Sequence, residues 1–194
     1  EFRRVLFRSV HEMRLFKSAE ELEVMRRAGE ISALAHTRAM EKCRPGMFEY
    51  QLEGEILHEF NRHGARFPSY NTIVGGGENA CILHYTENES ELRDGDLVLI
   101  DAGCEYRGYA GDITRTFPVN GKFSKPQREI YDIVLESLET ALELYRPGTS
   151  IYEVNQEVVR IMITGLVRLG ILKGEIDELI ANNAHRPYFM HGLS

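Results

Sequence analysis

Apolar residues return at helical spacing from Leu22 through Met25, Ala28, Ile31, Leu34 and Ala35, and Arg44-Pro45-Gly46 stops the run. Ser18 and Glu21 make a capping box ahead of it, so a long amphipathic helix is predicted to start there. A second helix is predicted from about Phe48, with Leu52, Ile56, Leu57 and Phe60 on one face and Gly64 as its stop. The period then changes. Short apolar runs at residues 71–74, 80–85, 97–103 and 113–119 read as strands, with Gly75-Gly76-Gly77 as a loop between the first two. Helical patterning resumes at Ser124, where Pro126 and Gln127 complete a second capping signature, and runs to Tyr145 before Arg146-Pro147-Gly148. Ser150 with Glu153 opens another helix to about Leu169, followed by Gly170. A short acidic helix around 175–181 leads into a final extended segment, 185–194.

The two Arg-Pro-Gly stops expose an internal repeat at a shift of 102 residues. At that shift Tyr50 meets Tyr152, Leu52 meets Val154, Glu55 meets Glu157, and Ile56-Leu57 meets Val158-Val159. Each copy is a helix, a turn and a helix, although two unrelated helix hairpins could coincide over so few positions. A true repeat would place strands after the second copy as after the first. Few residues remain there, so the second half is expected to be truncated.

Residues 1–13 are set aside as a tail because they show no cap and no clear period, and 14–194 are read as one incomplete domain. A secretory signal fits poorly, since Arg8 interrupts the early apolar stretch and no small-residue cleavage site follows.

Composition narrows the function classes. With 43% hydrophobic and 27% charged residues the chain resembles ordinary globular proteins, and no apolar run approaches the length of a membrane span. Thirty Asp+Glu against 23 Lys+Arg give a net charge of -7, which repels phosphate backbones and argues against nucleic acid as a partner. Cys43, Cys81 and Cys104 are odd in number and lack Cys-x-x-Cys spacing, so a reducing, cytoplasmic setting is expected.

The most informative chemistry lies in Leu97-Val98-Leu99-Ile100-Asp101-Ala102-Gly103 and Gly111-Asp112-Ile113-Thr114-Arg115-Thr116-Phe117. Two carboxylates sit inside runs that should be buried strands. A two-residue turn at Tyr106-Arg107 would set Asp101 directly opposite Asp112, with Cβ atoms about 5 Å apart. A turn moved by one residue would make them diagonal neighbours on the same face. Paired inward carboxylates repel unless a cation lies between them, and oxygen ligands favour manganese, magnesium or calcium. The competing reading has both solvated, one at a strand end and one in a polar turn. Gly75-Gly76-Gly77 lacks the Gly-Lys-Ser/Thr of a phosphate loop and is read as a flexible loop near a pocket.

The segments His84-Tyr85-Thr86-Glu87-Asn88, Gly95 to Tyr109, Asp112 to Phe117 and Gly121-Lys122-Phe123 closely resemble the pita-bread metallopeptidases, most of all their Xaa-Pro aminopeptidase branch. The resemblance runs from about Arg14 to Ser194. It implies an α+β fold of two pseudo-twofold helix-helix-strand-strand halves around two divalent metal ions, manganese above others. It also assigns Asp101 and Asp112 as metal ligands, with Asp112 bridging both ions, His84 to the substrate pocket, and His191 to substrate contact and proton shuttling. The family's next ligand, a histidine, would fall one position past Ser194. The 194-residue chain alone is therefore expected to have little or no activity.

On this reading the protein releases the N-terminal residue from peptides with proline second, and forms a homo-oligomer when full length. Prolidase, methionine aminopeptidase or a non-enzymatic binding module of the same fold are the alternatives. His11, His36, His58 and His63 are read as surface or packing residues, and His185 as undecided.

Overall fold

The computed structural model describes the backbone of residues 2–189 and 192, and the side chains of these from residue 9 onward. The chain divides into two compact units, Glu1–Lys122 and Phe123–Ser194.

The first unit begins with α1 (Phe2–Leu15), α2 (Ala19–Lys42) and α3 (Glu49–Arg62). The first of these runs through the residues set aside as a tail. No glycine or proline interrupts Phe2–Leu15, and its Arg, Leu, Met and Glu residues favour a helix even without a cap. In α2 the predicted capping box forms: Glu21 N–H donates to Ser18 Oγ at 3.2 Å, and Ser18 N–H donates to Glu21 Oε2 at 2.7 Å. The buried stripe Ala28, Ile31, Ala35 and Ala39 packs with Leu52, Ile56 and Phe60 of α3. Burying each large side chain contributes roughly 1.5–3 kcal/mol.

Four strands form an antiparallel sheet: β1 (Phe67–Pro68), β2 (Ile73–Gly76), β3 (Leu97–Tyr106) and β4 (Tyr109–Pro118). β4 pairs with β3 from Leu97 opposite Pro118 to Tyr106 opposite Tyr109. The other edge of β3 takes β2, with Ile73 opposite Asp101, and β1, with Phe67 opposite Glu105. Alternation sends Ile100, Ala102 and Cys104 into the core beneath α2 and puts Leu99, Asp101 and Gly103 on the opposite face. The approach of α2 is close. A Cβ on Gly111 would lie 2.3 Å from Ala28 O, and Cys104 N–H donates to Ser32 Oγ at 3.1 Å.

Three sequence expectations change here. The β3–β4 turn is Arg107-Gly108, not Tyr106-Arg107: both have left-handed backbone, φ 50° and 87°, as a tight hairpin turn of this kind requires. Residues 80–85 are not a strand. A 3₁₀ helix occupies Gly77–Cys81, and Ile82 and Leu83, whose apolarity suggested a strand, are 54% and 61% exposed. Gly75 and Gly76 belong to β2 rather than a flexible loop, paired with Leu99 and Val98 of β3, and a Cβ on Gly76 would lie 2.6 Å from Leu92 Cδ2. These glycines permit close packing.

The second unit contains α4 (Lys125–Leu144), α5 (Ile151–Arg168) and α6 (Ile176–Ala181). Its two predicted capping boxes, Ser124 with Gln127 and Ser150 with Glu153, are both formed. Ala141, Val154 and Val158 make its core, with Phe189 packed against them. Of the predicted extended segment 185–194, residues 185–188 are instead turn, with Phe189 N–H donating to His185 O at 2.8 Å, and residues 190, 191, 193 and 194 lie outside the described residues. No helix among the described residues is long and apolar enough to cross a membrane.

The internal repeat reappears in the helix boundaries. Lys42 and Leu144 end the first helix of each copy and Glu49 and Ile151 open the second, each pair 102 positions apart. Burial follows the same shift: Leu52 and Val154 are both 0% exposed, while Tyr50 and Tyr152 are both exposed.

Candidate metal centre

Asp101 and Asp112 stand on adjacent strands of one sheet face, but Gly103 is the residue paired with Asp112 and Asp101 pairs with Thr114. The carboxylates are therefore diagonal neighbours, the second of the two arrangements that the sequence allowed. Gly103 lets the β4 backbone approach closely here: a Cβ there would lie 2.6 Å from Gly111 O and 3.0 Å from Asp112 Cα.

Both carboxylates converge on Tyr70. Its hydroxyl oxygen lies 2.6 Å from Asp101 Oδ1 and 2.7 Å from Asp112 Oδ1. Ser69 fixes the preceding backbone, since its N–H and Oγ–H both donate to Gly103 O, at 2.9 and 3.0 Å. Burial first, and then the hydrogen bonds to Asp101 and Asp112, push the Tyr70 phenol far above its usual range. It stays protonated, with one proton for two carboxylate acceptors.

This geometry fits a hard divalent cation. Tyr70 Oη engages one oxygen of each carboxylate, and its single proton leaves the rest of their acceptor capacity available to an ion. Asp101 and Asp112 are the side chains that would hold the ion. Among the described residues no group of three or more His, Cys, Asp and Glu gathers to complete a site.

His84 occupies a turn at φ 57° and is exposed. Its segment is tied to α3 by its neighbours. Tyr85 Oη–H donates to Glu49 Oε2 at 2.8 Å, and Asn88 Nδ2–H donates to Glu53 Oε2 at 3.0 Å. His191 lies outside the described residues. His36 is a packing residue as expected, 2% exposed, with Nε2–H donating to Ala102 O at 3.2 Å. Tyr70 and Glu49 went unnoticed in the sequence: a tyrosine after Ser69 and a glutamate opening a helix carry no motif of their own.

The model of metallopeptidase family M24 matches residues 23–194. The chain belongs to metallopeptidase family M24. It is 84% identical over 185 residues to the Xaa-Pro aminopeptidase of Escherichia coli, an alignment covering 95% of this chain and 42% of that protein. It is 65% identical over 182 residues to the Xaa-Pro aminopeptidase of Haemophilus influenzae, covering 94% and 42%. Among solved structures, a zinc-substituted E. coli aminopeptidase P in complex with product superposes with a TM-score of 0.94 at 84% identity, over 95% of this chain and 42% of that one. This M24 chain thus has the fold of aminopeptidase P and spans 42% of the length of the relatives it matches.

Proposed function

We propose that this chain supplies part of the active site of an Xaa-Pro aminopeptidase, which removes the N-terminal residue from peptides whose second residue is proline. The observation that carries this is the convergence of Asp101 and Asp112 on one point, in a chain 84% identical to a protein of that name. That similarity favours this branch over prolidase, methionine aminopeptidase or a binding module. The oxygen-only donor pair supports manganese over thiolate-seeking metals. Three free cysteines support a reducing, cytoplasmic setting, and a homo-oligomer is the form proposed for the whole protein.

The residues divide the work. Asp101 and Asp112 would hold the divalent pair, and Tyr70 draws one oxygen of each toward its hydroxyl. A divalent pair, when bound, polarises the scissile carbonyl and activates water at neutral pH. His84 orients the substrate from its exposed turn, and His191 contacts the peptide and assists proton transfer to the proline nitrogen.

The test uses a protein of the relatives' length carrying this sequence. It should hydrolyse an Ala-Pro peptide with manganese, and Asp101→Asn should abolish both turnover and bound manganese. Undiminished turnover in Asp101→Asn would defeat the proposal. The 194-residue chain, with two carboxylates together and no third ligand among its described residues, should bind manganese weakly.

A further inference from the structure

The Glu49 side chain is 0% exposed although it opens α3. A buried carboxylate destabilises the fold unless its lone pairs are satisfied. Here Oε1 accepts from Gly76 N–H at 2.8 Å and Asn79 Nδ2–H at 3.0 Å. Oε2 accepts from Tyr85 Oη–H at 2.8 Å and Ser90 N–H at 2.9 Å. Four donors match the roughly four lone-pair sites of an ionised carboxylate. The N-terminal end of α3 adds a favourable helix dipole.

The origin of the four donors points to a role. They come from the end of β2, the 3₁₀ helix, the residue next to His84 and the returning strand of chain, so one carboxylate grips the 76–90 segment at its start, middle and end. Gly76 makes room for Leu92 rather than for the carboxylate, since a Cβ there would lie 2.6 Å from Leu92 Cδ2 but in ordinary contact, 3.6 Å, with Glu49 Oε1. Asn88, 2% exposed, adds a second grip: Oδ1 accepts from Val74 N–H at 3.0 Å and Nδ2–H donates to Thr72 O at 2.9 Å. Between these anchors His84 is exposed and held in a left-handed conformation, uncommon for non-glycine residues although histidine enters it more readily than most. Such a backbone persists where its surroundings over-determine it.

We propose that Glu49 is a positioning residue: its buried carboxylate anchors the 76–90 loop and so fixes where His84 is presented to the peptide. This rests on the reading of His84 as a substrate-pocket residue. Glu49→Gln is close in shape but replaces one acceptor oxygen by an amide that donates, turning two of the four contacts into donor against donor.

In this chain, Glu49→Gln should speed amide exchange at Ser90 or Gly76 at least about tenfold and move the His84 imidazole resonances seen by NMR, with helix content unchanged. Glu49→Asp, which keeps the charge, should restore part of both effects. If Glu49→Gln does not fold, Tyr85→Phe removes one donor and should move the same His84 signal. Unchanged exchange and unchanged His84 resonances in the variant that folds would overturn the proposal. In a protein of the relatives' length, Glu49→Gln and His84→Ala should each raise KM more than they lower kcat, and the double variant should be no worse than His84→Ala. A His84→Ala enzyme with normal kinetics would refute the pocket reading alone, leaving the anchoring of the loop to the exchange result.

Discussion

Asp101 and Asp112 are diagonal neighbours across β3 and β4, and a single phenol oxygen reaches both, at 2.6 and 2.7 Å. The O–H keeps two like-charged groups pointed at one place, which is the geometry a cation needs and the geometry repulsion would otherwise spread.

Tyr70→Phe tests this. Removing an outer partner of metal ligands typically lowers affinity 10- to 100-fold. Calorimetric titration of manganese into a protein of the relatives' length should show a loss in that range, with the circular dichroism spectrum unchanged. Equal affinity in variant and parent would show that the phenol does not organise the pair.

Glycines at two kinds of site should respond in opposite directions. Gly111→Ala drives a methyl against Ala28 O, 2.3 Å from the ideal Cβ, and should destabilise by about 1–3 kcal/mol. Gly54, inside α3, has nothing within 4 Å of its ideal Cβ, and Gly54→Ala should stabilise by about 0.5–1 kcal/mol. Urea unfolding of the two variants measures both shifts.

The three thiols should separate cleanly. Cys81 is exposed, whereas Cys43 and Cys104 are buried, and burial raises the Cys43 thiol to about 11. A disulfide reagent at pH 8 should modify one thiol quickly and the other two only on unfolding. Three fast equivalents would contradict the packing of α2 on β3.

Acid should weaken the first unit through His36. Burial is the main cause that lowers its pKa from the usual 6.5, so the native state holds it neutral. The sign follows: above about pH 6.5 neither state is protonated and stability is full, and below it the unfolded chain takes up the proton first. The urea midpoint should fall between pH 7 and 5, and less steeply in His36→Gln. Parallel pH profiles for the two proteins would exclude His36 as the source.

Much of this was legible from residue order, because the signals were local. Capping boxes at Ser18, Ser124 and Ser150 depend on residues three apart, and each one formed. The shared face of Asp101 and Asp112 also followed from alternation, even though the turn was misplaced by one residue. Tyr70 and Glu49 escaped because their meaning is tertiary. Tyr70 reaches Asp101 and Asp112 from 31 and 42 residues away, and Glu49 meets Ser90 across 41. Ile82 and Leu83 misled for a related reason: apolarity alone suggested a strand, and among the described residues no strand pairs with them.

The Arg107-Gly108 turn constrains the chemistry of the sheet by parity. Moving a tight turn by one residue shifts the pairing by two and leaves both aspartates on the same side. Inserting one residue between the turn and Asp112 is a different event. It would send Asp112 under α2 and bring Ile113 to the acidic face. The hairpin can therefore tolerate relocation of its tip but not a change from even to odd, which makes the spacing between Asp101 and Asp112 a stricter requirement than the identity of the residues that fill it.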